Sequence, residues 1–235
     1  MKRIRTAFVL GAGIGKRLRP LTEKVPKPLL KIGGRLIITY AMDHLIDAGI
    51  ERFIINTHHC PAEYQKAFPD WEYREKPILF RHEPILLETG GGLKNVEDLI
   101  EGDDAIFVYN GDILTDIDLK PLREEWERSA PEACLALRSS GHLLNVELDD
   151  SGAVVDMRGL LGRSGSKKCQ FTGIYIVGKR FLRRLAKDRI ESVVPAMVRA
   201  IKAVPGSVRG VVLDGGYWHD IGSVAEYERV NRELG

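Results

Sequence analysis

The sequence predicts an α/β fold: a mostly parallel sheet flanked by helices, with a small antiparallel extension. Three observations carry this. Short apolar strand-like runs alternate with helix-like runs through the first half. The second half changes to successive strand-like runs, one pair of them patterned as a hairpin. A glycine-rich turn follows the first strand, at the strand end where open α/β sheets bind ligands.

In chain order, Ala7 to Leu10 is a short apolar strand, entered directly from Met1-Lys2-Arg3-Ile4-Arg5. Ile37, Ile38, Ala41, Met42, Leu45 and Ile46 recur at helical spacing, and Gly49 supplies the stop. Phe53-Ile54-Ile55-Asn56 reads as a buried strand. Pro61 to Phe68 reads as a short helix with proline in its first turn. Ile78 to Phe80 is another strand, and Gly92 to Ile100 resumes a helical pattern behind a tight turn at Glu88-Thr89-Gly90-Gly91-Gly92. Ala105 to Tyr109 is apolar and ends at Asn110-Gly111-Asp112; Pro121 to Arg128 is helical. Ala133 to Leu137 is a strand. Asn145 to Leu148 and Ala153 to Met157 form a hairpin across Asp149-Asp150-Ser151-Gly152. Phe171 to Val177 and Val208 to Leu213 are further strands. Ser192 to Ala203 is a helix that tolerates Pro195 in its first turn. Ser223-Val224-Ala225-Glu226 is a capping-box signature for a last helix. Gly159 to Lys168, with Arg163, Lys167 and Lys168, reads as a solvated loop or as a lid that meets a phosphate.

The chain has 235 residues, 44% of them hydrophobic, with a formal net charge of +2. It can bury a sizeable core, and no global field argues for nucleic acid or membrane. Basic residues do not interleave with aromatics, which argues against a nucleic-acid partner. No signal-like or membrane-spanning apolar stretch is present, so the cytoplasm is the expected location. Cys60, Cys134 and Cys169 are scattered and read as reduced structural thiols. The six histidines form no metal spacing. His58-His59 follows an apolar strand, in a loop beside a cleft, and is read as non-catalytic.

The chemistry concentrates in Leu10-Gly11-Ala12-Gly13-Ile14-Gly15-Lys16-Arg17 and in Pro26-Lys27-Pro28. Three glycines within five residues let the backbone approach a ligand, and their N–H groups can converge on an anion. Arg17 offers a planar fork and Lys27 a point charge for phosphate oxygens. The dinucleotide fingerprint fails because Lys16 stands at its sixth place. The Walker A loop fails because Arg17 follows Gly15-Lys16 and Leu10 stands where its first glycine belongs. Asp112 in a glycine turn, and Asp220 in Trp218-His219-Asp220-Ile221-Gly222, are the natural magnesium pair. This cation takes one or two protein carboxylates plus phosphate oxygens and waters.

The opening run with Pro26-Lys27-Pro28-Leu29, the Gly90-Gly91 segment, Asn110-Gly111-Asp112 and Trp218 to Gly222 resemble the sugar-1-phosphate nucleotidyltransferase family over nearly the whole chain. The resemblance implies a Rossmann-like mixed sheet. It implies a single domain over 1–235, with a nucleotide-binding part at about 1–130, a sugar-binding part at about 131–222 and a C-terminal helix at 223–234. No acyltransferase or β-helix extension is expected beyond Gly235. The implied reaction joins a sugar 1-phosphate to a nucleoside triphosphate with Mg2+, releasing pyrophosphate. Leu10, Gly11, Ala12, Gly13, Gly15 and Lys16 would hold the nucleotide together with Arg17, Lys27 and Asp112, and Glu83 and Gly90 would bear on the base. Arg17, Lys27, Asp112 and Asp220 would be catalytic, the two aspartates holding the metal. Asn145, Thr172 and Gly173 would meet the sugar. The Glu-Thr-Gly-Gly-Gly form is similar to that of N-acetylmuramate 1-phosphate uridylyltransferases and implies UTP with an amino sugar. GTP with mannose or heptose 1-phosphate is the alternative. A non-catalytic regulatory relative is the rival of another class, and a cytidylyl- or molybdopterin-type transferase with a non-sugar acceptor is a further one.

Overall fold

A computed structural model of the chain describes residues 3–234. They fall into two compact units that alternate along the sequence. One comprises Arg5–Leu86, Tyr109–Asp116 and the chain from Tyr217. The other comprises Leu87–Val108, Ile117–Gly216 and the residues before Arg5. The chain therefore changes unit five times.

In the first unit, strands Thr6–Leu10, Arg52–Thr57 and Lys76–His82 run parallel, with Phe8 opposite Ile54 and Ile54 opposite Leu79. The crossovers are helices Ile37–Asp47 and Pro61–Ala67. Phe53 through Thr57 are buried without alternation, as expected of a strand covered on both faces. The short strand Glu72–Tyr73 adds an antiparallel edge. Strand Ile113–Thr115 pairs antiparallel with Trp218–Asp220, and helix Val224–Leu234 follows. The Glu226 N–H donates to Ser223 Oγ at 3.2 Å, which is half of the expected capping box. The Glu226 carboxylate turns instead to Arg229.

In the second unit, strand Lys167–Gly178 lies antiparallel between Ala133–Arg138 and Leu144–Leu148. The expected hairpin joins Leu144–Leu148 to Val154–Met157, and Val208–Val212 runs parallel to Ala133–Arg138. Helices Glu88–Asn95, Lys120–Ser129 and Val193–Ala203 complete it. The α/β class, with parallel strands flanked by helices and an antiparallel part, is the expected one. No helix among the described residues is long and apolar enough to cross a membrane.

Two segments differ from their sequence reading. The glycine run at 90–92 lies inside helix Glu88–Asn95 rather than in a turn before it. The N–H groups of Gly90 and Gly91 donate to the Glu191 carbonyl at 2.8 and 3.0 Å, and a Cβ on Gly91 would lie 2.2 Å from the Arg189 carbonyl oxygen. These glycines exist because another backbone crosses the first helical turn. The Gly159 to Lys168 segment is pinned rather than loose. Buried Asp156 accepts N–H bonds from Leu161 and Arg163, each at 3.0 Å, and Glu147 accepts one from Gly165 at 3.0 Å.

Candidate active site

An apolar cluster of Leu18, Leu30, Ile32, Ile37, Leu114, Ile221 and Val230 lies in the first unit. Each of the four charged residues expected to be catalytic has a near neighbour anchored there. Arg17 precedes Leu18, Lys27 stands three residues before Leu30, Asp112 two before Leu114, and Asp220 directly before Ile221. Burying the apolar member of each segment fixes where the polar member emerges.

The four segments converge. Lys27, nearly buried, places its Nζ 2.5 Å from Asp112 Oδ2 and 4.0 Å from Asp220 Oδ1. The Ile221 N–H donates to the Asp112 carbonyl at 3.1 Å, so the two carboxylate-bearing backbones are tied directly. Arg17 comes in over Gly222: a Cβ there would lie 3.3 Å from Arg17 Nη1 and 3.5 Å from Asp220 Oδ1. Partial burial, together with the charge of Asp112, pushes the Asp220 carboxyl above its ordinary range, against the pull of Lys27 and Arg17. The pair thus holds more negative charge than Lys27 neutralises. Two partly exposed carboxylates beside one lysine offer oxygen donors of the kind a hard divalent cation takes. Among the described residues no group of three or more His, Cys, Asp or Glu is placed to hold a metal, so such a cation would draw its remaining ligands from phosphate and water.

Gly111 sets Asp112 beside the glycine-rich turn. A Cβ at Gly111 would meet the Leu10 carbonyl oxygen at 2.4 Å. The turn itself is anchored at its start. The Gly11 N–H donates to Asn56 Oδ1 at 2.8 Å, that of Ala12 at 3.4 Å, and the Gly11 carbonyl accepts from Tyr64 OH at 2.9 Å. Two of the backbone donors expected to face an anion therefore serve the fold. Lys16 and Arg17 lie exposed on a single 3-10 turn, Lys16–Leu18.

Glu83 is fully buried and accepts from Asn56 Nδ2 at 2.7 Å. Asn56 itself is a site residue the sequence reading missed; the available signal was an amide closing an apolar strand. His219, one residue before Asp220, is stacked on Tyr217 and bonded to Arg229 at 2.9 Å. Gly90, Asn145, Thr172 and Gly173 belong to the second unit. The Gly90 N–H is taken by Glu191, and the buried Thr172 hydroxyl donates to the Ala136 carbonyl at 2.8 Å. Gly173, at φ 82°, forms the irregularity beside it, and Asn145 is half-buried in its hairpin strand.

Residues 6–139 match the family model described as nucleotidyl transferase. The chain is 29% identical over 231 residues to the mannose-1-phosphate guanylyltransferase of Mycobacterium tuberculosis, covering 97% of this chain and 64% of that protein. It is 38% identical over 113 residues to the N-acetylmuramate alpha-1-phosphate uridylyltransferase of Neisseria meningitidis serogroup B, 48% of each chain. The chain thus spans less than two thirds of the length of these relatives. A putative glucose-1-phosphate thymidylyltransferase from Bacillus anthracis shares the fold with a TM-score of 0.83 at 19% identity, over 99% of this chain and 95% of that one. With the match extending over more than half of its residues, the chain belongs to the nucleotidyl transferase family.

Proposed function

We propose that this chain transfers a nucleotidyl group from a nucleoside triphosphate to a sugar 1-phosphate, releasing pyrophosphate. The observation that carries the reading is the convergence of Lys27, Asp112, Asp220 and Arg17 beside the glycine-rich turn. A sugar phosphate oxygen is already an anion and needs no general base. The barrier is repulsion between two anions, and the residues present address charge rather than proton transfer. Arg17 offers its guanidinium fork to the β- and γ-phosphates and to the departing pyrophosphate. Lys27, held between two carboxylates, turns its positive charge toward oxygens on the α-phosphorus as phosphate displaces its present partners. Asp112 and Asp220 would hold Mg2+, which when bound supplies charge neutralisation across the triphosphate. The tie between Ile221 N–H and the Asp112 carbonyl keeps both carboxylates in one geometry before substrate arrives.

For substrate, the reading is UTP with an amino sugar such as N-acetylmuramate 1-phosphate, supported by the Glu88 to Gly92 form and the uridylyltransferase relative. GTP with mannose 1-phosphate is the second reading, favoured by a guanylyltransferase relative that matches nearly the whole chain. Gly90 and Gly91 of that segment pack on Arg189 to Ser192. A pyrophosphate-release matrix of UTP, GTP, CTP, ATP and dTTP against N-acetylmuramate, N-acetylglucosamine, mannose and heptose 1-phosphates tests both. Highest turnover with UTP and the amino sugar is expected; GTP preference rejects the uridine reading, and no release from any pair rejects the reaction.

A further inference from the structure

His58, His59 and the strand-end Asn56 have no part in the chemistry above, yet they belong to a hydrogen-bond network that reaches the glycine-rich turn. Four consecutive residues after Ile55 each point a polar group at something structural. The Asn56 carboxamide accepts from Gly11 N–H at the start of the turn. Its Nδ2 donates to the buried Glu83 carboxylate, and the Glu83 N–H donates to the Thr57 carbonyl at 2.7 Å. His58 Nδ1–H donates to the Glu83 carbonyl at 2.7 Å. His59 Nε2–H donates to the Thr22 carbonyl at 2.8 Å, and the fully buried Thr22 donates its hydroxyl to the Gly15 carbonyl at 2.8 Å. A carbonyl acceptor fixes each imidazole as the N–H tautomer at that nitrogen.

The consequence is a bracket. One short segment, Asn56 to His59, grips the turn at Gly11 directly and at Gly15 through Thr22. Both grips leave no slack: a Cβ on Gly11 would lie 2.6 Å from the Asn56 carbonyl oxygen, and one on Gly15 would lie 2.9 Å from Thr22 Cγ2. Between them Gly13 is open, with nothing within 4 Å of an added Cβ. Glu83 is the far end of the bracket. It is fully buried, and its carboxylate fixes which end of the Asn56 amide faces Gly11, since only the oxygen end can accept the N–H.

We propose that Asn56, oriented by Glu83, and Thr22, held by His59, are positioning residues that preset the Gly11–Gly15 turn for triphosphate binding. This rests on the nucleotidyl-transfer reading above. Preorganisation of this kind is felt in nucleotide affinity, because the free turn would otherwise lose conformational freedom on binding.

The test is steady-state pyrophosphate release by the full chain, with nucleotide and sugar phosphate varied separately, alongside equilibrium dialysis of UTP and GTP. Asn56→Asp keeps the acceptor toward Gly11 but faces Glu83 with a second carboxylate; Glu83→Gln leaves two amides. Each single variant is expected to raise the nucleotide KM and Kd about tenfold, with the sugar phosphate KM little changed. The double variant Asn56→Asp/Glu83→Gln reverses donor and acceptor across the same contact and is expected to recover most of the loss. Thr22→Val, nearly isosteric, tests the other grip independently: nucleotide KM rises and amide exchange in residues 13–17 of the free protein quickens. Unchanged nucleotide KM and Kd in all these variants overturn the bracket, as does a double variant no better than the worse single. A switch of preferred base without rescue also overturns it, by assigning Glu83 to the base itself. If the unaltered chain binds neither nucleotide and releases no pyrophosphate with any pair, the transfer reading fails and the bracket with it. An active parent with unmoved variants sinks the bracket alone.

Discussion

Asp112 carries the densest set of constraints in the site. Its carboxylate meets Lys27, its carbonyl accepts from Ile221, and the glycine before it lies against Leu10. Asp112→Asn keeps the shape and removes the charge. Pyrophosphate release is expected to fall about 10²–10³-fold, the scale on which single electrostatic groups act in transfer reactions, while the thermal midpoint stays near the parent value. Chelation of divalent cations with EDTA should abolish release, with recovery on adding Mg2+; undiminished turnover in chelator would remove the metal role of both aspartates. Gly111→Ala asks a different question. The added methyl has nowhere to go at 2.4 Å from a backbone oxygen, so a loss of about 1–3 kcal/mol in urea unfolding is expected. Legibility at this scale was uneven. Arg17 and Asp112 could be singled out beside glycine turns, Lys27 between two prolines, and Asp220 between an aromatic pair and a helix start. Asn56 could not, because an amide closing an apolar strand looks like any strand end until its partners are known.

At the scale of elements, the glycine run in helix Glu88–Asn95 gives a prediction whose sign is informative. Glycine to alanine inside a helix ordinarily stabilises by about 0.5–1 kcal/mol. Here Gly91→Ala would drive a methyl to 2.2 Å from the Arg189 carbonyl oxygen, a backbone atom that cannot rotate aside. Overpacking outweighs propensity, and a net loss of about 1–3 kcal/mol is expected by chemical denaturation. A stabilised variant would show that Arg189 to Ser192 does not lie against the helix. At the last helix, Ser223→Ala removes the side-chain acceptor of Glu226 N–H and should cost about 1 kcal/mol. Helices were legible where apolar spacing was regular, as in Ile37–Asp47. Strand Trp218–Asp220 was not, because three residues with two polar side chains carry no period; its pairing with Ile113–Thr115 defines it.

Across the whole molecule, stability follows a set of carboxylates held low by arginine and hydroxyl partners. Burial alone would raise Asp43, but hydrogen bonds from Arg74, Tyr73 and Arg35 outweigh it. Glu125 behaves alike: burial raises it, and Arg128 and Arg209 more than offset that. Glu191 is lowered by Arg199, and Asp214 by Ser139. Each group releases its proton more readily folded than unfolded. Their contribution is therefore complete above the ordinary carboxylate range and is lost as pH falls through about 4 and below. The urea midpoint is expected to decline slightly from pH 7 to pH 6, because burial and Arg229 hold His219 below its ordinary value, and to drop progressively below pH 5. A midpoint that rises on acidification would contradict these assignments. Solvent screening keeps each increment small, so the drop is gradual rather than a single step.

The sequence by itself determined the local facts: the glycine-rich turn, the cationic and acidic side chains, the α/β alternation and the family kinship. These are set by backbone freedom, charge and periodicity within a few residues. Only the tertiary structure decided which of them meet. Lys27 lies 85 residues from Asp112, and its contact exists because Leu18, Leu30, Leu114 and Ile221 are buried in one cluster. The same holds for two glycine runs that look alike in the sequence. One turns in the open, at Gly13; the other, at Gly90 and Gly91, is crossed by a second backbone. Close packing is a property of the folded chain, and no single stretch of sequence encodes its own neighbours.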